Sequence, residues 1–329
     1  MEYPQHNLGL DLVRVTETAA LASARWLGKG EKENGDQAAV DAMRLSFNSI
    51  GIKGRVIIGE GEKDKAPMLY NGETLGTGNG PSVDVAVDPV EGTNLLAYGR
   101  PNAIAVVGVS PEGTMFTPGS SYYMEKLVVP EAAKDVADIE APVEDNLLKI
   151  AKALGKSVED LMVFVLDKPR HKELIERIRK AGARIQLHTD GDVAGALMAI
   201  DPASEIDLMM GTGGTPEGVL AACAIKGLNG EIYTRLDPQN KDEIEALQKE
   251  GADLKKVRNV NDLVRSDDVF FAATGISGGS FLSGVTYTGK GAVTQSLVIR
   301  GRTGTIRYIK SIHNFTKLMK FSSIKYESK

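Results

Sequence analysis

A single cysteine, Cys223, stands in the 329 residues, so neither an intrachain disulfide nor a cysteine-built zinc cage can form. A reducing, cytoplasmic setting is the expectation that follows. The four histidines, His6, His171, His188 and His313, are scattered and include no H-x-x-x-H pair. Serine–histidine catalysis and histidine-rich metal binding therefore have little support. No apolar run approaches the ~18 residues that a membrane-spanning helix needs, and no membrane partner is expected. The opening Met1-Glu2-Tyr3-Pro4-Gln5-His6 lacks the basic-then-apolar order of a secretory signal. There is no excess of positive charge either. A net charge of −5 argues against a general nucleic-acid binder, although a few local Lys and Arg can still hold a phosphate. Internal repeats, low-complexity tracts and evident linkers are also missing. The chemistry must lean on carboxylates.

What is present is an ordinary globular composition, 42% hydrophobic and 25% charged, in a chain long enough for two domains. Helical spacing runs over residues 8–27 and again over 36–50, with Asp36 placed as the second helix's N-cap. Strands are expected at Val56–Ile58, at 83–88 and at Ala103–Val109, followed by a connection holding Tyr122, Tyr123 and Met124. This first part, residues 1–140, reads as alternating α and β elements. The remainder, 141–329, is more regularly α/β. Met162–Leu166, Arg184–His188 and Ile206–Met210 read as strands, and Lys172–Lys180, Val193–Ile200 and Gly218–Lys226 as helices. Such strand–helix–strand units imply parallel pairing. Residues 237–266 are charged and helical or loop. Val269–Ala273, Gln295–Arg300 and Thr305–Ile312 read as strands, the last of which is expected to return to a sheet.

The acidic residues gather where strands and helices change over. In Val83-Asp84-Val85-Ala86-Val87-Asp88-Pro89-Val90-Glu91-Gly92-Thr93-Asn94, the valines fall on one face and Asp84, Ala86 and Asp88 on the other. Pro89, which has no N–H, is expected to end the ladder. Asp88 and Glu91 then project from the strand end, with Gly92 allowing close backbone approach and Thr93 supplying a hydroxyl. Oxygen donors placed there suit a hard divalent cation such as magnesium or manganese, whereas solvated turn acids are the plainer alternative. Asp36 at a helix start serves as a cap or as one more ligand. Glu60 lies in Gly59-Glu60-Gly61-Glu62, where flanking glycines cost order unless the backbone must approach something closely.

Three further strand ends suit a phosphorylated ligand. Lys168-Pro169-Arg170-His171 puts cations at a helix N-terminus, where the dipole prefers negative charge, and a bound phosphate would resolve that conflict. A solvated basic turn is the competing reading. Asp190-Gly191-Asp192 suits sugar hydroxyls, with Asp190 or Asp192 doubling as a helix cap. Gly211-Thr212-Gly213-Gly214-Thr215-Pro216-Glu217-Gly218 reads as a glycine-rich loop that lacks both the P-loop Lys-Ser/Thr and the dinucleotide spacing. Glu217 in it is either a metal ligand or a first-turn acid. Cys223 sits among Ala and Leu and reads as core.

These stretches resemble the class II fructose-1,6-bisphosphatases of bacteria. The similarity is carried by Trp26–Gly30, Gly59–Glu62, Ala66–Tyr70, Asp88–Thr93, Tyr123–Lys126, Lys168–His171, Asp190–Asp192, Pro216–Val219 and Ala273–Ile276. The blocks run in order from about residue 8 to residue 313. Asp88–Thr93 is also similar to the Asp-Pro-x-Asp-Gly-Thr signature of the lithium-sensitive, metal-dependent phosphatases. The resemblance implies an α/β sugar-phosphatase fold, layered α-β-α-β-α with two mixed sheets, and hydrolysis of the 1-phosphate of fructose 1,6-bisphosphate in gluconeogenesis. It implies Asp36, Glu60, Asp88, Glu91 and Glu217 as ligands for Mn2+ or Mg2+. The implied substrate contacts are Glu91, Gly92, Thr93, Tyr123, Lys168, Pro169, Arg170, Asp190, Gly191, Asp192 and Gly214, with Lys32 near the reacting centre. Residues 1–140 would bind the metal and 141–329 the substrate, and a homo-oligomer, dimer or tetramer, is expected.

Two departures from the family stand out: Glu33 and Gly35 in place of Asn and Ala, and Thr215 in place of Ala. On this reading Thr93, beside Glu91, orients an attacking water and relays its proton, and no Cys or His nucleophile is needed. Other expectations are a phosphatase for sedoheptulose 1,7-bisphosphate or inositol phosphates, or a non-catalytic sugar-phosphate sensor. The retained carboxylates speak against the last.

Overall fold

The computed structural model describes residues 7–61 and 68–319, so Glu62, Ala66 and Pro67 of the expected motifs lie outside the described residues. The chain divides into two compact units, Met1–Thr114 with Asp268–Lys329, and Met115–Asp267.

The first unit opens with α1 (Gly9–Ser23), α2 (Lys32–Phe47), β1 (Lys53–Ile58), β2 (Thr74–Leu75), β3 (Ser82–Glu91), α3 (Thr93–Ala97) and β4 (Ile104–Pro111). The second unit follows with β5 (Tyr123–Val129), α4 (Val143–Ala153), β6 (Met162–Leu166), α5 (Lys172–Lys180), β7 (Arg184–His188), α6 (Asp192–Ile200), β8 (Leu208–Gly214), α7 (Thr215–Ile225), β9 (Glu231–Leu236), α8 (Lys241–Lys249) and α9 (Val260–Leu263). The chain then returns to the first unit with β10 (Phe270–Gly275), β11 (Thr286–Thr288), β12 (Gly291–Arg300), β13 (Thr305–Asn314) and α10 (Phe315–Leu318). Among the described residues no helix is long and apolar enough to cross a membrane.

In the first unit the strand order is β11-β12-β10-β4-β3-β1-β2, with β13 alongside β12. The sheet is mixed, because β1 and β3 run parallel while β3–β4, β4–β10 and β10–β12 are antiparallel. The alternation of β3 works as the sequence implies. Val83, Val85 and Val87 join Val107 and Ala272 in one core with Leu12, Val15 and Ala19 of α1 and Met43 and Phe47 of α2. Across the strand, Asp84 is buried and accepts a hydrogen bond from the Thr114 N–H at 2.8 Å. Pro89 does not end β3. The strand continues to Glu91 through a bulge between Asp88 and Glu91, which absorbs the missing donor by shifting the register against β4.

In the second unit the order is β7-β6-β8-β5-β9. β6 pairs parallel with both β7 and β8, as the strand–helix–strand pattern implies. β5 pairs antiparallel with β8 and β9, so the sheet is mixed. That pairing places β5 in the second unit, which spans Met115–Asp267. The first unit in turn contains the C-terminal strands, because β10 pairs with β4. Helices α6 and α7 are buried along almost their whole length, so they carry no amphipathic stripe.

Candidate active site

In the first unit the candidate residues are spread over the start of α2, the end of β1 and the β3–α3 junction. Helix α2 begins at Lys32, a turn earlier than expected, so Asp36 is not a cap but lies in the helix interior. Lys32 precedes Asp36 by four residues, which places both on one helix face. Burial holds the Asp36 carboxyl above its ordinary value, and the Lys32 charge partly offsets this. Gly35 explains one departure from the family, since a Cβ there would press on Leu96 and Trp26. The loop before α2 is tied to α3 through Gly28 N–H to Leu96 O and Gly30 N–H to Ala97 O, both at 2.9 Å.

Glu60 follows β1, and its N–H donates to Leu69 O at 2.9 Å. The close approach that Gly59 permits is to this carbonyl, where a Cβ would collide. At the β3 end, Asp88 accepts from the Val90 N–H at 3.0 Å across the bulge, and Glu91 is 5% exposed. Gly92 takes the left-handed conformation (φ 89°) and occupies the cap position of α3, with Thr93 as the first helical residue. Thr93 is therefore not the cap.

The donors Asp36, Glu60, Asp88 and Glu91 are all hard carboxylate oxygens, the chemistry that magnesium or manganese takes. Among the described residues, however, no three His, Cys, Asp or Glu side chains converge closely enough to form a metal cage. The set suits a divalent cation by donor type alone.

In the second unit the basic turn is real. Pro169–His171 form a 3-10 turn leading directly into α5, with Lys168 as its cap. Arg170 Nε donates to Thr212 O at 2.9 Å and its guanidinium lies 5.1 Å from the Tyr123 ring centroid, which joins two predicted substrate contacts. Lys168 pairs with Asp190 at 2.9 Å. Gly191 (φ 101°) caps α6, so neither Asp190 nor Asp192 does. Arg170 also lines a pocket of about 270 Å³ together with Glu125, Glu173 and Arg177.

The glycine-rich segment is not a loop. Gly211, Gly213 and Gly214 belong to β8 and are paired with β5, and α7 starts at once with Thr215. The glycines clear space for side chains: a Cβ on Gly213 would strike the Asp192 carboxylate, and one on Gly214 the Glu217 carboxylate. Glu217 lies in the first turn of α7, and burial holds its carboxyl above the ordinary value. Thr215, the other departure, is buried and shares a 2.8 Å hydrogen bond with Ser121.

Sequence reasoning missed three groups. Lys126 is buried beneath Asp192 and Gly214. Glu243, 1% exposed, accepts from the N–H groups of Tyr122 (2.7 Å), Tyr123 (3.2 Å) and Gln239 (3.0 Å), and so fixes the backbone at Tyr123. His171 is a latch. Its Nε2 accepts from Thr212 N–H at 2.7 Å, so Nδ1 carries the proton given to Leu166 O at 2.7 Å. No local pattern marks any of these, since each acts on a segment distant in sequence.

The His171 geometry requires a neutral ring, and burial pushes its pKa below the ordinary 6.5. The unfolded chain therefore takes up this proton first as pH falls. The stabilisation is complete above about 6.5 and is lost as pH drops through the lower folded value. His171→Ala should cost about 1–3 kcal/mol near pH 7.5, because it strands two buried backbone groups. The gap to the parent should narrow towards pH 5. Denaturant melts at both pH values test this, and a gap independent of pH would refute the latch.

Two mixed sheets with helices make this a protein of the α/β class, with acids at strand ends in one unit and a basic strand-end turn in the other. More specifically, the chain belongs to the family described as bacterial fructose-1,6-bisphosphatase, glpX-encoded, whose model matches residues 6–313. It is 44% identical over 322 residues to fructose-1,6-bisphosphatase 1 class 2 of Escherichia coli (strain K12), covering 94% of this chain and 96% of that one. The fructose-1,6-bisphosphatase class 2 proteins of Escherichia coli O6:H1 and Shigella flexneri match with the same identity and coverage.

Proposed function

We propose that this chain hydrolyses fructose 1,6-bisphosphate to fructose 6-phosphate and phosphate, the step that gluconeogenesis requires. The observation that carries the reading is the family match across nearly the whole chain. As the family motifs imply, the carboxylates proposed for a divalent ion, manganese or magnesium, are Asp36, Glu60, Asp88, Glu91 and Glu217. When bound, such an ion neutralises phosphate oxygens, acidifies an attacking water and steadies the leaving alkoxide.

The chain's own side chains supply the rest. Thr93, next to the Glu91–Gly92 junction, orients the water and passes its proton to a carboxylate. Arg170 and Lys168 hold the phosphate that does not react, with Pro169 shaping their turn and Tyr123 beneath the guanidinium. Asp190, Gly191 and Asp192 read sugar hydroxyls, and Gly214 presents backbone to the ligand. Lys32 supplies positive charge beside Asp36. The buried Cys223 and this substrate class fit a cytoplasmic enzyme, and a dimer or tetramer is the proposed assembly.

Release of phosphate from fructose 1,6-bisphosphate, sedoheptulose 1,7-bisphosphate and inositol phosphates, measured side by side, tests the reading. Fructose 1,6-bisphosphate should give the highest kcat/KM. A higher value for either rival would reassign the substrate, and no turnover of any would favour the sensor.

Arg170→Ala should raise KM for fructose 1,6-bisphosphate. Loss of one charge-assisted contact costs roughly 1.5–3 kcal/mol, or about a ten- to hundredfold change. Part of this should appear in kcat if binding the remote phosphate aligns the reacting one. An unchanged kcat/KM would reduce Arg170 to a solvated turn residue stacked on Tyr123.

A further inference from the structure

Lys126 is a fully buried cation for which the chemistry above has no task. It lies in β5, opposite Gly211 of β8, and is 2% exposed. Taking an ammonium out of water is costly unless it is well paired. Its Nζ donates to Asp192 Oδ2 and, at 2.7 Å, to the carbonyl of Gly214. Asp192 opens α6 just after β7, and Gly214 closes β8. One ammonium thus ties together the exits of two strands, and each exit supplies a residue proposed to touch the sugar phosphate.

The surrounding packing is built to admit it. A Cβ on Gly218 would press on Met124 and on Lys126 Cε, and one on Gly213 would occupy the place of the Asp192 carboxylate. Asp192 Oδ1 and Glu217 Oε2 are buried without a hydrogen-bond partner. Stability alone does not account for the arrangement, because apolar replacement of a buried ion pair is often neutral or favourable. The orphaned Asp192 oxygen beside a paired ammonium is instead what a polar ligand would complete.

We propose that Lys126 is a positioning residue for sugar-phosphate binding. Its ammonium holds Asp192 by one oxygen, leaving the other for the ligand, and fixes the Gly214 peptide in register with it. The proposal rests on the substrate reading above, and its test separates the two. The probe is fructose 6-phosphate, the reaction product, titrated calorimetrically into the full chain in chelator and again with manganese. Lys126→Met should weaken its Kd about tenfold or more, the scale of a lost charge-assisted contact.

Lys226→Met serves as the structural control. Lys226 has a side chain only 6% exposed and pairs with the exposed Asp267 at 3.2 Å and with Asn261 at 2.5 Å. It should lose stability and keep its Kd. If Lys126→Met does not fold, the comparison moves to Glu217→Gln against Lys126→Met/Glu217→Gln. That pair removes one negative charge together with the positive one, and the double variant should bind at least tenfold more weakly. A parent that fails to bind fructose 6-phosphate in either buffer tells against the substrate reading. A parent that binds, with Lys126 variants of equal Kd, overturns the positioning role.

Discussion

Chelation should abolish phosphate release, and manganese or magnesium should restore it. Glu91 is 5% exposed, and burial already holds Asp36 and Glu217 above their ordinary values. Without a counter-charge, burial favours the protonated, neutral form of Asp36 and Glu217. A divalent ion held by these carboxylates would favour their ionised form and supply positive charge for the phosphate. Binding should be visible without any substrate. An ion at about a hundred times its Kd stabilises the folded state by about 2.7 kcal/mol, which a thermal melt resolves. Asp88→Asn and Glu91→Gln should each remove most of that melting shift. Full activity in chelator, or an unaltered melt on adding manganese, would remove the metal from the mechanism.

Much of the second unit was legible before the fold was known. β6, α5 and β7 follow the sequence pattern residue for residue, because each is bounded by a clear stop such as Gly182, whose φ of 99° few side chains adopt. The first unit's valine alternation was equally plain, since one face of β3 packs against α1 and α2. The errors fall where a residue's identity answers to a distant partner. Gly211, Gly213 and Gly214 look like a loop, but they are strand residues kept small by His171, Asp192 and Glu217. Pro89 looks like a terminator, but a bulge accommodates it. Asp36 looks like a cap because Lys32-Glu33-Asn34-Gly35 reads as loop, although the helix has already begun.

Lys126 shows the same limit most sharply. A lysine in a strand reads as a solvated side chain, and the acceptors that bury this one lie 66 and 88 residues further on. Glu243 is similar, lying in a charged segment while its carboxylate holds backbone 120 and 121 residues earlier. Local pattern reports elements and their faces. It does not report which elements bring their ends together, and site residues are chosen by that.

Thr93→Ala should lower kcat by about 10²–10⁴-fold, the worth of a positioned proton-transfer group, and leave stability nearly unchanged. A stability loss through a missing helix cap is excluded by the structure. Gly92 holds the cap position in a left-handed conformation, and α3 has no side-chain cap bond. Thr93 is the first helical residue, where alanine is at least as good a helix former. The substitution also leaves Asp36, Glu60, Asp88, Glu91 and Glu217 in place, so metal affinity should hold. Substrate Kd should change little, because a hydroxyl acting in the transition state contributes little to ground-state binding. The result would be a protein that binds fructose 1,6-bisphosphate and manganese normally, melts normally and barely turns over. Thr93→Ser, which keeps the hydroxyl, should recover most of the rate. Measuring kcat, substrate Kd and melting temperature on one preparation of each variant separates the possibilities. Near-normal kcat in Thr93→Ala would end the catalytic assignment, and equal losses in the alanine and serine variants would shift it from the hydroxyl to the methyl group.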